Sequence, residues 1–122
     1  MDIKSLKDIV LLHKKDDVLR FHLYLKLLQF NIKPIENHID IILELYKQGG
    51  YSNSEEQNLF IKTCIDKKLR KSNQSLRNLL SEYVIKGVFK KSKNCSLSLK
   101  EEFIPRIDCK KLVLNYMISH AE

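Results

Sequence analysis

The chain has 122 residues, 43% of them hydrophobic, and carries 22 Lys and Arg against 15 Asp and Glu, a net charge of +7. This length allows one compact hydrophobic core and is too short for two independent ones. The positive excess favours polyanionic partners such as nucleic acid over acidic small substrates. No stretch reaches the roughly 18 apolar residues of a membrane-spanning helix, so we expect no membrane partner.

The cysteines and short motifs argue against a metal site, a cofactor and an enzyme. Cys64, Cys95 and Cys109 are odd in number, far apart and form no Cys-x-x-Cys pair, a pattern that predicts neither a disulfide framework nor a tetrahedral metal site. The sequence has no Gly-rich phosphate loop and no nucleophile elbow. We therefore expect a non-enzymatic protein without cofactors, in a reducing cytoplasmic setting.

Two helical patterns come first. Apolar residues spaced by three and four predict an amphipathic helix over residues 3–15. Asp16 and Asp17 then supply acidic first-turn residues for a second helix, which is apolar nearly all round up to Leu28. Its apolar residues also alternate as in a strand, but its length favours a helix.

A third helix is expected to start with Pro34 at its first position and to end at Gly49-Gly50. Overlapping capping signals precede a fourth helix, since Ser52 is followed by Glu55 and Ser54 by Gln57. The apolar positions of this fourth helix are Leu59, Phe60, Ile61, Cys64, Ile65 and Leu69.

Ser72 is expected to cap a fifth helix, which Gly87 ends. Two short strands should follow, flanking a basic tip over residues 90–94. After Pro105, apolar residues from Val113 to Ile118 predict a last helix.

These elements predict a mainly α fold with a small β-hairpin: a winged helix-turn-helix over residues 34–104 with flanking terminal helices. The flanks are an N-terminal helical extension over residues 1–33 and a C-terminal helix over residues 105–122. In a winged helix-turn-helix, the helix before the hairpin enters the major groove of DNA. Here that helix begins after Ser72.

Charge and side-chain chemistry support this assignment. Lys62 to Lys100 contains eleven basic and two acidic residues, a net +9, while the rest of the chain has eleven basic and thirteen acidic residues, a net −2. With its apolar positions turned inward, the fifth helix presents Arg, Asn, Gln and Ser, which bind base edges and phosphates. We expect the DNA-binding residues to be Lys71, Ser72, Asn73, Gln74, Ser75, Arg77, Asn78, Ser81, Lys90, Lys91 and Lys93.

The run from Leu69 to Phe89, LRKSNQSLRNLLSEYVIKGVF, resembles the MarR-like winged helix regulators. The matching positions are Ser72, Ser75, Leu79, Leu80, Lys86, Gly87 and Val88. The turn before the fifth helix, Leu69-Arg70-Lys71, lacks the glycine that such turns often contain. The resemblance implies a DNA-binding regulator whose terminal helices form a homo-oligomer.

Two functions remain open at this point. The first is a regulator in which Gln74, Arg77, Asn78 and Ser81 face base edges while Lys71, Lys90, Lys91 and Lys93 hold phosphates. The second is an assembly adaptor that uses its winged helix for contacts with other proteins, such as a ring or connector component of a virion. The Lys-, Ile- and Asn-rich composition resembles that of proteins from AT-rich phage genomes, which use winged helices for both purposes.

Overall fold

The computed structural model describes residues 15–92, 95–108 and 111–113. Pro34–Ile104 form one compact unit. The other unit is drawn from Met1–Lys33 and Pro105–Glu122. The mainly α fold with a small β-hairpin is confirmed.

The second of the predicted helices is confirmed as a helix and is the first that the structure describes, α1 over Lys15–Gln29. It ends with Asn31 in the left-handed conformation at a φ of 60°, which Asn tolerates better than most residues. The amide of Ile32 then donates to the carbonyl of Leu27 at 2.8 Å, closing the helix end. The predicted helix over residues 3–15 lies, except for Lys15, outside the described residues.

A second hairpin occupies part of the segment where we expected the C-terminal helix. Strands β3, Arg106–Asp108, and β4, Lys111–Val113, pair antiparallel with Ile107 opposite Leu112. The prediction of a helix from residue 105 onwards is therefore wrong over these two strands. Val113, the first apolar residue of the predicted helix, lies at the end of β4. Residues 114–122 lie outside the described part of the chain.

The unit formed by Pro34–Ile104 has the element order of a winged helix-turn-helix. Its elements are α2 (Glu36–Gln48), α3 (Ser54–Asp66), α4 (Asn73–Ile85), β1 (Phe89–Lys91), β2 (Leu97–Leu99) and a 3-10 turn (Glu101–Phe103). Helix α2 packs against α3 and β2, while α4 packs against α3 and β1. We call the hairpin formed by β1 and β2 the wing.

Two helix starts differ from the prediction. Helix α2 begins at Glu36, because Ile35 is extended and accepts the first helical hydrogen bond from the amide of Ile39 at 2.9 Å; Pro34 therefore precedes the helix. Helix α3 is capped by Asn53, which lies between the two predicted serines and accepts from the amide of Glu56 at 2.8 Å. The Glu56 carboxylate in turn accepts from the Ser52 amide at 2.8 Å, so the reciprocal capping pattern is shifted by one residue.

The wing is extended by a third strand position that the sequence reasoning missed. In β1 and β2, Phe89 pairs with Leu99, Lys90 with Ser98 and Lys91 with Leu97. On the other side of β2, Tyr51 exchanges two backbone hydrogen bonds with Leu97, at 2.9 and 2.8 Å. The wing is thereby joined to the segment between α2 and α3.

The core of the unit is built from all three helices and the wing. Its fully buried large side chains include Ile41, Ile42, Leu45, Phe60, Leu76, Leu79, Tyr83, Val88, Phe89 and Phe103. Leu59, one of the apolar positions of α3, is 56% exposed, because it lies about 140° around the helix from the buried Cys64. Because the inward side chains of α4 pack against α3 and β1, its opposite face is left exposed.

Candidate nucleic-acid interface

Helix α4 starts as predicted. Ser72 is extended and its hydroxyl accepts from the Ser75 amide at 3.1 Å, which satisfies one of the free amides of the first turn. The helix ends as predicted at Gly87, with a φ of 85°. The Val88 amide donates to the carbonyl of Tyr83 at 2.9 Å, so the chain leaves the helix directly into β1.

The two faces of α4 divide as expected. The buried side chains are Leu76, Leu79, Leu80 and Tyr83, and the exposed ones include Asn73, Gln74, Arg77, Asn78 and Ser81. Ser75 is half-buried at the margin, while Lys71 and Ser72 are exposed just before the helix. The candidate residues on and before α4 thus form one continuous polar surface.

Two amide side chains on this surface are already paired. Gln74 Nε2 donates to Asn78 Oδ1 at 2.8 Å, one helical turn away. This hydrogen bond fixes the orientation of both amides relative to each other and leaves the Asn78 amino group free to donate. Such a pair reduces the side-chain entropy that a base contact would otherwise cost.

The single acidic residue of α4 is matched by a cation. Lys86 Nζ donates to Glu82 Oε2 at 2.8 Å and lies 5.1 Å from the centroid of the Tyr83 ring. The hydrogen bond from Lys86 lowers the pKa of Glu82. The carboxylate is therefore ionised but neutralised locally, which weakens its repulsion of a polyanion.

Lys90 and Lys91 lie in β1 and not in the tip of the wing. The predicted basic tip over 90–94 is wrong in this respect, because Lys90 and Lys91 pair with Ser98 and Leu97. Consecutive residues of a strand point to opposite faces, so the two exposed lysines are directed to opposite sides of the wing. Lys93 lies outside the described residues.

A cleft of about 270 Å³ lies between the exposed side of α4 and the wing. Arg77 and Ser81 of α4 and Lys91 of β1 line it together with Tyr51 and Gln57. Sequence reasoning missed the last two, because the single Tyr51 bridge to β2 gives no strand pattern. Burial raises the pKa of Tyr51, while a hydrogen bond with Gln57 and the nearby Arg77 charge act in the opposite direction.

The Cys64 thiol is buried inside the unit formed by Pro34–Ile104. Burial, followed by the nearby Glu44 carboxylate, raises the pKa of Cys64 to about 12, so this thiol is neutral at physiological pH. Cys95 is half-buried and Cys109 lies outside the described residues. Within the described ranges, no three His, Cys, Asp or Glu side chains are grouped so as to hold a metal ion.

Of the helices described, none has both the length and the apolar character needed to cross a membrane. Comparison of the chain with protein families, with curated proteins and with solved structures gave no match.

Proposed function

We propose that this chain is a non-enzymatic winged helix protein that binds double-stranded DNA, with α4 in the major groove and the wing beside it. The observation that carries this proposal is the outward face of α4. Its exposed side chains up to Ser81 are polar or cationic. Its one carboxylate is paired with Lys86, and it shares a cleft with the wing lysine Lys91. A solvated helix without a polyanionic partner would not need to avoid acidic residues in this way.

The chemistry of this face fits base recognition. Amide side chains such as Gln74 and Asn78 can bond adenine through two hydrogen bonds, and serine can bond phosphates or bases. A regulator of transcription is the function that such a reader serves most directly. Its site of action would be the cytoplasm of a bacterial or phage-infected cell.

Charge reversal on the wing tests this proposal. In fluorescence anisotropy with a random-sequence duplex, Lys90→Glu combined with Lys91→Glu should weaken binding of all sequences alike, because phosphate contacts carry no sequence information. Lys47→Glu, on α2 outside the α4 and wing surface, is the control and should change binding little. Lys47→Glu reverses one charge and the wing variant reverses two, so an effect of net charge alone would give Lys47→Glu half of the logarithmic loss in affinity. A loss that large in Lys47→Glu would contradict the proposal.

A second function is favoured by a separate observation on α1. Phe21, Tyr24 and Leu28 follow one another at helical spacing and are 50%, 45% and 47% exposed. Large apolar side chains exposed in one stripe are typical of a protein interface. The alternative proposal is an assembly adaptor, in a virion or another particle, that uses this stripe to contact copies of itself or other components.

Light scattering at high protein concentration tests the self-association part of this alternative. Wild type should form an oligomer, and Phe21→Ser with Leu28→Ser should shift it to the monomer. The control is Asp17→Ser, an exposed polar position on the same helix. A wild-type protein that stays monomeric at high concentration would contradict self-association through α1.

A further inference from the structure

The cleft between α4 and the wing brings two cations from different elements to one place. We propose that it holds a single backbone phosphate of duplex DNA between Arg77 and Lys91, an inference that rests on the proposed DNA-binding function. The polar residues lining the cleft are Tyr51, Gln57, Arg77, Ser81, Lys91 and Ser96. None of the described residues that line it is acidic.

The strand geometry explains why Lys91 and not Lys90 belongs to this site. Phe89 and Lys91 lie on the same face of β1, since side chains alternate along a strand. Phe89 is buried with its ring 6.1 Å from that of Tyr83 on α4. Lys91 is therefore directed to the α4 side of the wing, whereas Lys90 is directed away from it.

On α4, helical spacing supplies the opposite wall. Arg77 and Ser81 are four residues apart and so lie on the same face, one turn above the other. Arg77 and Ser81 line the cleft beside the wing, whereas Gln74 and Asn78 are not among its lining residues. Those two amides are paired with each other. The outward face of α4 is thus divided into an amide pair and a cationic margin.

The donor set of the cleft suits a phosphate. Arg presents a planar fork of N–H donors and Lys a compact charge, and both are the usual ligands of phosphate oxygens. The hydroxyls of Ser81 and Ser96 add neutral donors. The positive charge of Arg77 also reaches the Tyr51 phenol, where it lowers the pKa against the larger effect of burial.

In this phosphate site Arg77 has a different role from the one that its sequence position suggested. Sequence reasoning placed Arg77 among the residues that face base edges, and a base-reading Arg would contact guanine. As a phosphate ligand, Arg77 positions α4 in the groove without reading sequence. Base reading then falls to Asn73, Gln74 and Asn78.

We call the pair Arg77 and Lys91, with the phosphate between them, the clamp. A double-mutant cycle with a matched control tests it. The probe is a fluorescein-labelled random-sequence duplex, titrated by anisotropy over a salt series with Arg77→Ala, Lys91→Ala and the double variant. The control cycle replaces Lys91→Ala by Lys90→Ala, which removes the same charge from the neighbouring position of the same strand. Thermal melts verify that each variant is folded, as expected for exposed side chains.

If both cations hold one phosphate, each single variant should bind about eightfold more weakly at 0.1 M salt and lower the salt slope by about 0.9. For the Arg77 and Lys91 double variant, the fold-loss in affinity should then be far smaller than the product of the two single fold-losses. For the Arg77 and Lys90 double variant, the fold-loss in affinity should equal the product of the two single fold-losses.

Three results would overturn the clamp. Full independence of Arg77 and Lys91 would mean that they contact different groups. A loss for Arg77→Ala confined to a selected high-affinity sequence would make Arg77 a base reader, while DNA binding itself would stand. Absence of salt-sensitive binding by the wild type would remove both the clamp and the proposed function.

Discussion

The ionisation of His38 is coupled to the fold. Its Nδ1 lies 2.8 Å from the hydroxyl of the buried Tyr83, and the two rings meet edge to face. Burial lowers the pKa of His38, and the nearby positive charges of Arg70 and Lys86 act in the same direction, against Glu82. The fold favours the neutral imidazole, whose Nδ1 can accept a hydrogen bond from the Tyr83 hydroxyl.

This lowered pKa predicts a pH dependence of stability. The unfolded chain takes up a proton on His38 near pH 6.5 while the folded chain does not, so the free energy of unfolding should fall as the pH drops below about 6.5. His38→Gln should reduce that fall. Urea denaturation of both proteins between about pH 7.5 and 5.5 measures the difference, and identical pH profiles would contradict this coupling.

At the scale of elements, the turn after α3 places a lysine in a backbone conformation that favours glycine. Helix α3 ends with Lys68 in the left-handed conformation at a φ of 59°. The amide of Leu69 donates to the carbonyl of Cys64 at 2.9 Å and that of Lys68 to Ile65 at 2.9 Å, the pattern of a Schellman motif. The glycine that similar turns often contain is thus replaced by a lysine in the same backbone conformation.

Lys68→Gly should therefore stabilise the protein by about 1 kcal/mol, because glycine adopts positive φ without the steric cost of a Cβ. Lys62→Gly, an exposed position in the middle of α3, is the control and should destabilise by about 1 kcal/mol. Chemical denaturation of the two variants and wild type gives the free energies of unfolding. A Lys68→Gly variant less stable than wild type would show that this side chain contributes more than its backbone conformation costs.

The glycine pair after α2 makes a second prediction at this scale. Gly49 and Gly50 have φ values of 83° and 81°, and a Cβ on Gly50 would lie 2.6 Å from the carbonyl oxygen of Leu97, whereas a Cβ on Gly49 would meet nothing within 4 Å. Gly49→Ala should cost about 1–2 kcal/mol from conformation alone. Gly50→Ala should cost more, because it also forces the Tyr51 bridge away from β2; equal losses would contradict this account.

The helices and most of their ends could be predicted because their signals are local. Ser72 and Gly87 mark α4 by capping chemistry that acts within one turn. The Tyr51 bridge could not be predicted in this way, since it depends on backbone hydrogen bonds to Leu97, which lies 46 positions further along the chain. The cleft could not be predicted either, because it forms only when β1 of the wing packs on α4.

At the scale of the whole molecule, polar and apolar exposed surfaces point to different partners. The α4 and wing surface is polar and cationic, as DNA binding requires. The α1 stripe is apolar, and Ile85, at the end of α4, is 86% exposed. A protein that binds DNA as an oligomer would use both kinds of surface, so the two proposed functions share a first test.

That test is fluorescence anisotropy of the purified wild-type protein with a random-sequence duplex and with a pool selected for tight binding, across a salt series. If about five phosphates are contacted, the log–log salt slope should lie near −4 to −5. The selected pool should also bind more tightly than the random duplex at each salt concentration. A flat salt response, or no binding near physiological salt, would contradict DNA binding by the α4 and wing surface and would favour the assembly adaptor.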